Sequence, residues 1–307
     1  MSYEVGMFSI KKGNTAEIQS FLSGRSLFNS PDIIEFYPRS AVLTVRRRTR
    51  LAAVWMVPTI VSEDKFELAR PFRLLPYTHL HVADGSHPSR RRGIIQALAE
   101  WIASTDSGIS KVNLPFSTHG VGCGPFTQRG FRVEQRHTYL LDLSADWTRL
   151  LSATCANNVR HARARVYITR QRAIGSFDCS RGVTFESSDA FARRSLLIDH
   201  LIRTGRGMTM TATDRTGTLL GQCFVSWDAK TGYLLHNWRS EDAPRGTVNL
   251  LIFNCVEYVQ QVLGLSQFDF EGSVIPSVDC FYATFGGEPL PYPHLHWSRS
   301  NGRQGLG

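Results

Sequence analysis

The stretch from Tyr233 to Tyr292 decides the fold: YLLHNWRSEDAPRGTVNLLIFNCVEYVQQVLGLSQFDFEGSVIPSVDCFYATFGGEPLPY. The aromatic, β-rich run from Tyr233 to Trp238 predicts a strand, and the loop after it contains Pro244 and Gly246, which end that strand. From Thr247 onward, apolar residues recur at spacings of three and four, which predicts a half-buried helix. A second strand, a short helix and a closing strand are predicted to complete the unit.

The second predicted strand, Gln267 to Phe270, ends beside two carboxylates. Side chains alternate along a strand, so Phe268 and Phe270 share one face while Asp269 and Glu271 share the other. This pattern makes both carboxylates candidates for an active site at the strand end. The alternative is that each carboxylate forms a structural pair with an arginine.

The turn Arg245-Gly246-Thr247 opens the predicted helix. Backbone N–H groups and the positive end of the helix dipole point from such a turn toward any anion that lies there, typically a phosphate. The turn is therefore a candidate anion-binding site. The alternative is a glycine that serves only to turn the chain.

The two halves of the chain repeat one order of elements. Arg90-Arg91-Arg92-Gly93 precedes a helix, the strand VNLP, the segment PFTQRGF and a further strand. The helix after Gly246, the strand FDFE, the segment FYATFGG and a final strand repeat that order. The sequence therefore predicts two similar α/β units, residues 1–143 and 144–297, with a basic helix over 147–165 and a disordered tail over 298–307.

These motifs resemble those of a known family. The order of elements from the first strand to FYATFGGE resembles the acyl-donor half of a GNAT-superfamily acyltransferase. The runs FDFEGS and FYATFGGEPLPY resemble most the Fem-type branch of that superfamily. The resemblance implies an α/β fold of two tandem GNAT-like units, each a mixed, mostly antiparallel sheet flanked by helices. It also implies an enzyme, an acyltransferase that forms an amide bond.

The resemblance further implies the substrates. The donor would be an aminoacyl-tRNA, a co-substrate rather than a bound cofactor, and the acceptor an amine of a cell-wall precursor or of a small peptide-like metabolite. Acyl-CoA is the alternative donor, because the peptidoglycan-bridge members have Phe-Lys where this chain has Phe281-Tyr282. An alternative from another class is a non-catalytic module that binds nucleic acid or a precursor, since a fold does not decide a function.

Acyl transfer to an amine needs a group that takes a proton from the ammonium and a group that stabilises the oxyanion. Glu271 and Asp269 are the candidates for the first role, and Tyr282 is the candidate for the second. Because Phe281 and Phe285 flank it, Tyr282 has the alternative role of an aromatic core residue.

Two further sets of residues are candidates for binding. The donor-binding candidates lie in the turn and the first turn of the following helix, and in the basic helix: Arg245, Gly246, Thr247, Asn249, Arg160 and Arg163. The substrate-binding candidates are Tyr77, His236, Trp238, Arg239 and Phe281. Arg90, Arg91 and Arg92 at a helix start also suggest an anion or nearby acids, since cations are unfavourable at a positive helix end.

The charge balance favours an anionic partner. The 307 residues include 35 Lys+Arg and 26 Asp+Glu, which gives a net charge of +9. From Trp147 to Phe177 the chain has six arginines and no carboxylate. Such a segment is typical of a surface that binds tRNA or phosphate, and the alternative is a solvated structural helix.

Other sequence features indicate the cellular compartment and exclude several classes of enzyme. The six cysteines form no CxxC pair, and neither a signal region nor a long apolar run is present, which predicts a soluble protein of the reducing cytoplasm. The pairs His79/His81 and His294/His296 have no nearby third ligand, so no metal is expected. GxSxG, HExxH, P-loop and GxGxxG motifs are absent. The sequence does not predict an oligomeric state.

Overall fold

The computed structural model describes residues 2–5, 7–12, 27, 30–34, 36, 39–62, 65–69, 78–83, 86–117, 122–182, 187–272 and 275–299. Tyr77 and most of the predicted tail lie outside these ranges. The chain forms two compact units, residues 1–136 with 292–307 and residues 137–291. The chain passes from the first unit to the second between Arg136 and His137, before the predicted boundary near Ser144. The return of the chain to the first unit at Tyr292 was not predicted.

The first unit is built on a mostly antiparallel sheet. Its strands are β1 (Ser2–Val5), β2 (Phe8–Lys12), β3 (Arg39–Arg47), β4 (Arg50–Ser62), β5 (Lys65–Ala69), β6 (Thr78–Val82), β7 (Ile109–Ser117), the start of β8 (Arg132–Asp142) and the end of β14 (Glu288–Ser298). The order of pairing strands is β1-β2-β3-β4-β5-β7-β14, and β6 pairs with β4 and β7. The last strand of the chain thus completes the sheet of the first unit through β7.

The helices of the first unit are α1 (Pro31–Ile34), α2 (Pro88–Ala103) and α3 (Gly124–Thr127), with a 3-10 turn at Thr105–Ser107. Apolar residues recur along α2 at helical spacing and are buried, as expected for a helix lying on a sheet: Ile94, Ile95, Leu98, Trp101 and Ile102. These side chains share one core with those of β3, β4 and β7.

The second unit has its own sheet and core. Its elements are the end of β8, a 3-10 turn (Trp147–Leu150), α4 (Ala153–Arg163), β9 (Tyr167–Gln171), α5 (Ser188–Arg203), β10 (Gly207–Thr213), β11 (Leu219–Trp227), β12 (Thr231–Arg239), α6 (Thr247–Gln261), β13 (Gln267–Asp269), α7 (Pro276–Ala283) and the start of β14. The strand order is β8-β13-β12-β11-β10-β9. The mixed, mostly antiparallel α/β architecture that was predicted is confirmed.

The helix predicted over 147–165 differs in the structure. The segment is a 3-10 turn followed by α4, which starts only after Ser152. The Ser152 hydroxyl accepts a hydrogen bond from the Cys155 backbone N–H at 3.1 Å, which is the geometry of a helix cap. A new helix therefore begins there.

The two faces of the second sheet carry different helices. The core containing Cys223, Val225 and Leu234 also holds residues of α4, α6 and α7. On the other face, a Cβ at Gly207 would meet Phe224 and Leu201 of α5. Since side chains alternate along a strand, neighbouring residues of β12 belong to opposite layers.

Two features of β12 open the sheet near its end. The parallel pairing of β12 with β13 runs from Thr231–Gln267 to Tyr233–Asp269. Just beyond, the register of β12 against β11 shifts between Leu234 and His236, which leaves Leu235 as a bulge. A bulge bends a strand and redirects the side chains that follow it. The candidate site lies at this end of β12.

Two glycines with left-handed backbone flank α6, and they test the packing of this helix. A Cβ at Gly246 (φ +88°) would lie 2.2 Å from the Asn158 carbonyl oxygen, whereas a Cβ at Gly264 (φ +67°) would meet nothing within 4 Å. We expect Gly264→Ala to lower the free energy of unfolding by about 1 kcal/mol, the cost of its backbone conformation alone. Gly246→Ala should lower it by about 3 kcal/mol or more, because α4 must also move. Urea unfolding of both variants measures the difference, and equal losses would contradict the close approach of α4 to α6.

Candidate functional site

Tyr282 lies in the last turn of α7 and its phenol points toward β12. The Asn237 side-chain amide donates a hydrogen bond to the phenolic oxygen at 3.1 Å. Burial raises the pKa of Tyr282 to about 12, and the charge of Glu271 adds to this effect while the Asn237 hydrogen bond opposes it. At neutral pH the group is therefore a protonated hydrogen-bond donor without charge.

The ring of Tyr282 also belongs to the core. The Phe270 and Phe281 rings lie 5.6 and 5.7 Å from it, centroid to centroid. Phe285 is fully buried, whereas Phe281 is only half-buried. Tyr282 thus combines a ring packed in the core with a hydroxyl group held by a hydrogen-bond partner.

Glu271 follows β13 in a tight turn. Its φ of 62° is in the left-handed region, which is costly for a residue other than glycine. The next residue, Gly272, has no room for a side chain, since a Cβ there would lie 2.1 Å from the His137 carbonyl oxygen. The charge of Glu271 is one of the groups that raise the pKa of Tyr282.

Asp269 lies on the other face of the sheet from Tyr282. Phe268 and Phe270 share the core with Tyr282, and Asp269 alternates with them on β13. The Asp269 carboxylate is 5% exposed and accepts hydrogen bonds from the Thr138 hydroxyl and from the Glu271 backbone N–H at 2.7 Å. These contacts suit a residue that positions the Glu271 turn, and they do not bring the carboxylate to the Tyr282 phenol.

The substrate-binding candidates do not converge. His236 and Trp238 alternate with Asn237 on β12, so they lie on the face opposite Tyr282. There His236 Nε2 donates to the Arg181 carbonyl at 2.8 Å, and the Arg181 guanidinium lies 4.7 Å from the Trp238 ring centroid. These two side chains therefore hold a loop on the sheet.

The remaining substrate candidates have separate positions. Arg239 is exposed and its guanidinium donates to the Ser240 carbonyl at 3.4 Å. Phe281 is the candidate that lies beside Tyr282. Tyr77 is outside the residues that the structure describes.

A cationic cavity of about 340 Å³ lies where α4 meets the start of α6. Its lining includes three basic groups and no carboxylate: Thr154, Asn157, Asn158, His161, Arg165, Pro244 and Arg245. Arg245 Nε donates to Asn158 Oδ1 at 3.1 Å, which fixes the guanidinium at the wall. Gly246, the residue that precedes α6, has no side chain that could cap the helix. Basic groups around an uncapped helix start can bind a phosphate.

Only part of the predicted donor set lines this cavity. Arg245 does, and Gly246 forms the turn beside it. Thr247 and Asn249 are buried, where the Thr247 hydroxyl donates to the Pro244 carbonyl and the Asn249 amide donates to the Cys155 sulfur. Arg160 and Arg163 are exposed on other sides of α4. The arginines chosen by charge alone are therefore not those in the cavity.

Sequence reasoning missed several residues of the site. Thr154, Asn157, His161 and Arg165 follow one another at helical spacing, so they form one stripe of the α4 region. That polar stripe is visible in the sequence and could have identified the face of α4 that meets the Gly246 turn. Asn237 gave no sequence signal, because its role depends on the position of α7.

Two histidines of β14, His294 and His296, lie against neighbouring polar side chains. Within the described ranges, no group of three His, Cys, Asp or Glu side chains could hold a metal ion. The rings of His294 and His296 are stacked with their centroids 4.6 Å apart, and their ring nitrogens contact Asn113 and Glu134.

None of the helices that the structure describes has the length and apolar character needed to cross a membrane.

Solved structures share this fold. FemX has a TM-score of 0.62 at 10% identity, over 92% of this chain and 96% of its own. The C-terminal domain of a proposed lysylphosphatidylglycerol synthetase from Agrobacterium fabrum has a TM-score of 0.57 at 12% identity, over 94% of each chain. A tandem GNAT protein from the clavulanic acid biosynthesis pathway has a TM-score of 0.54 at 14% identity, over 94% of this chain and 97% of its own.

No protein-family model and no curated protein matches the sequence. The likeness to these solved structures extends over nearly the whole chain. The chain therefore has the Fem-like, tandem GNAT fold that the sequence resemblance implied.

The environment of Tyr282 predicts its titration. Absorbance at 295 nm, measured against pH for the unaltered protein and for Tyr282→Phe, isolates this phenol by difference. Because burial raises the pKa to about 12, the difference should appear near pH 12 and not near pH 10. The unfolded chain loses that proton first, so this group makes the fold less stable as the pH rises above about 10. A difference signal centred near pH 10 would contradict the buried position.

Proposed function

We propose that the protein is an N-acyltransferase that moves an aminoacyl group from aminoacyl-tRNA to an amine of a cell-wall precursor or of a small peptide-like metabolite. The observation that carries the proposal is that the second unit combines a protonated phenol, whose pKa the charge of Glu271 helps to raise, with a separate cationic cavity. The Fem-like, tandem GNAT fold supports the same class of reaction. The proposal sets the reaction in the cytoplasm, where aminoacyl-tRNA is made.

In this proposal Glu271 accepts the proton that the acceptor ammonium must lose before it can attack. The amine nitrogen then bonds to the ester carbonyl carbon, and the carbonyl oxygen gains negative charge. Tyr282 donates a hydrogen bond to that oxygen. Its phenolic oxygen accepts from Asn237, which leaves the phenolic hydrogen for the substrate. The ester C–O bond breaks, and the leaving hydroxyl takes the proton that the nitrogen gives up.

The donor assignment rests on two surfaces of unequal specificity. The cavity of His161, Arg165 and Arg245 suits the phosphate of either an RNA 3′ end or a CoA. The exposed arginines of α4 and β9 extend the positive charge beyond the cavity, which suits a polyanion. This second surface favours aminoacyl-tRNA, and acyl-CoA is the second candidate.

The exposed arginines have aromatic partners beneath them. The Arg163 guanidinium lies 4.8 Å from the Phe253 ring centroid, and that of Arg172 lies 5.3 Å from Trp227. Arg170 lies 5.5 Å from the Tyr258 ring. Cation–π contacts of this kind hold a guanidinium in place while its edge can still donate hydrogen bonds. The basic surface is thus ordered by packing.

Two charge-reversal pairs separate the donors. Arg165→Glu with Arg245→Glu reverses two charges in the cavity, and Arg160→Glu with Arg163→Glu reverses two charges on the exposed surface. For an aminoacyl-tRNA donor, both pairs should weaken tRNA binding by about 10-fold or more, and binding of the unaltered protein should weaken steeply with salt. Amide formation, followed by mass spectrometry, should fall in parallel.

The control is Arg215→Glu with Lys230→Glu, which makes the same change of charge in exposed turns of the second unit. Binding by this variant should stay within about 3-fold of the unaltered protein, because a general charge effect is weak at physiological salt. If only the cavity pair matters and CoA binds, the donor is acyl-CoA. Absence of product with both donors would refute the transferase and leave a binding module.

A further inference from the structure

The first unit contains an open cavity of about 540 Å³ that the proposed reaction does not use. It lies between β2, the end of β3 and the start of α2. The residues that matter for its chemistry are Phe8, Arg47, His87, Ser89, Arg90 and Gln96. The cavity has thus one aromatic wall and several polar groups from different elements.

Two of the elements that form this cavity each contribute a guanidinium group. Arg47 comes from β3 and Arg90 from α2, and the lining has no carboxylate. The first turn of α2 has no acidic residue either. The carboxylate further along α2, Glu100, accepts from the Gln96 amide at 3.1 Å and pairs with Arg129. Among the described residues, no carboxylate lines the cavity with these guanidinium groups. A cation at the positive end of a helix is repelled by the helix dipole, and a bound anion would reduce that repulsion.

Side chains, rather than backbone amides, would hold the anion. The Ser89 backbone N–H donates to His87 Nδ1 at 3.3 Å, and the N–H groups of Arg90 and Arg91 donate to the His87 carbonyl at 2.9 and 3.1 Å. The first amides of α2 are therefore already used. Because Nδ1 of His87 accepts, its Nε2 carries the hydrogen and can donate to a ligand.

The rest of the cavity suits a group attached to the anion. Phe8 is 9% exposed, and its ring lies 3.0 Å from the position that a Cβ would take at Gly93. The absence of a side chain at Gly93 therefore admits the ring. Arg47 Nε donates to the Met7 sulfur at 3.0 Å, which holds the guanidinium at the edge of the cavity. Within the described part of the chain, its terminal nitrogens have no hydrogen-bond partner and can donate to a ligand.

We propose that this cavity is a second ligand site, which binds a small phosphorylated molecule with its phosphate between Arg47, Arg90 and His87 and its ring or apolar group against Phe8. A guanidinium binds phosphate in a bidentate manner, and two of them converge here from separate elements. A concave site with an aromatic wall suits a small molecule better than an RNA strand. The proposal does not depend on the identity of the acyl donor.

Phenyl phosphate is the probe, because it combines a phosphate with a ring. Isothermal titration should use the full chain carrying Arg165→Ala and Arg245→Ala, so that the cavity of the second unit does not contribute. In that background, phenyl phosphate should bind more tightly than inorganic phosphate or phenol. Arg47→Ala and Arg90→Ala should each weaken binding by about 10-fold, the usual effect of losing a charge-assisted hydrogen bond.

Arg92→Ala is the matched control, because it removes the same charge from the same helix at an exposed position outside the cavity lining. It should change the affinity by less than about 2-fold. Equal weakening by Arg90→Ala and Arg92→Ala would mean general attraction to positive charge, and the proposal would be wrong. Three other results would also overturn it. They are loss of binding when only Arg165 and Arg245 are changed, preference for RNA over phenyl phosphate, and no binding of phenyl phosphate.

A second variant tests the position of the ring. Ser89→Tyr places bulk in the cavity without removing charge, and it should abolish the preference for phenyl phosphate over inorganic phosphate. Thermal unfolding of every variant checks the fold, since all the altered side chains are exposed in the structure. Retention of the preference in Ser89→Tyr would place the ring elsewhere and contradict the proposal.

Discussion

The Asp269 carboxylate fixes the turn on which the candidate site depends. It accepts hydrogen bonds from the Thr138 hydroxyl on β8 and from the Glu271 backbone N–H, so it joins the end of β13 to the neighbouring strand. A buried carboxylate is costly unless such donors satisfy it. These bonds hold Glu271 in a left-handed conformation and bring Gly272 against the backbone of His137. The charge of Glu271 in turn raises the pKa of Tyr282.

In the proposed function, acyl transfer and donor binding take place at two different positions of the second unit. Tyr282 and Asn237 lie in a largely apolar environment, where a hydrogen bond to a developing oxyanion is stronger than in water. The cationic cavity between α4 and α6 is polar and open to solvent, which suits a phosphate group. Gly246 allows the two helices to approach closely enough to form that cavity.

Local patterns in the sequence predicted much of this structure. The spacing of apolar residues predicted α6, and the alternation of Phe268, Asp269 and Phe270 correctly predicted which of them share a face. The patterns could not predict which strands pair over long distances. That is why the return of the chain at Tyr292 to the first unit was missed. Because side chains alternate along a strand, His236 and Asn237 must lie on opposite faces of the sheet. Only the position of α7 shows which of these faces carries Tyr282.

Tyr282 carries the central claim, since it is both packed in a core and proposed to stabilise the oxyanion. The most direct test is the rate of amide formation by Tyr282→Phe, which keeps the ring and removes only the hydroxyl. Tyr233→Phe is the matched control, because it removes a buried phenol on the opposite face that donates to Asp228. The account predicts a loss of about 100-fold for Tyr282→Phe and a nearly unchanged rate for the control. A folded Tyr282→Phe protein with unchanged turnover would contradict it and leave Tyr282 as a packing residue.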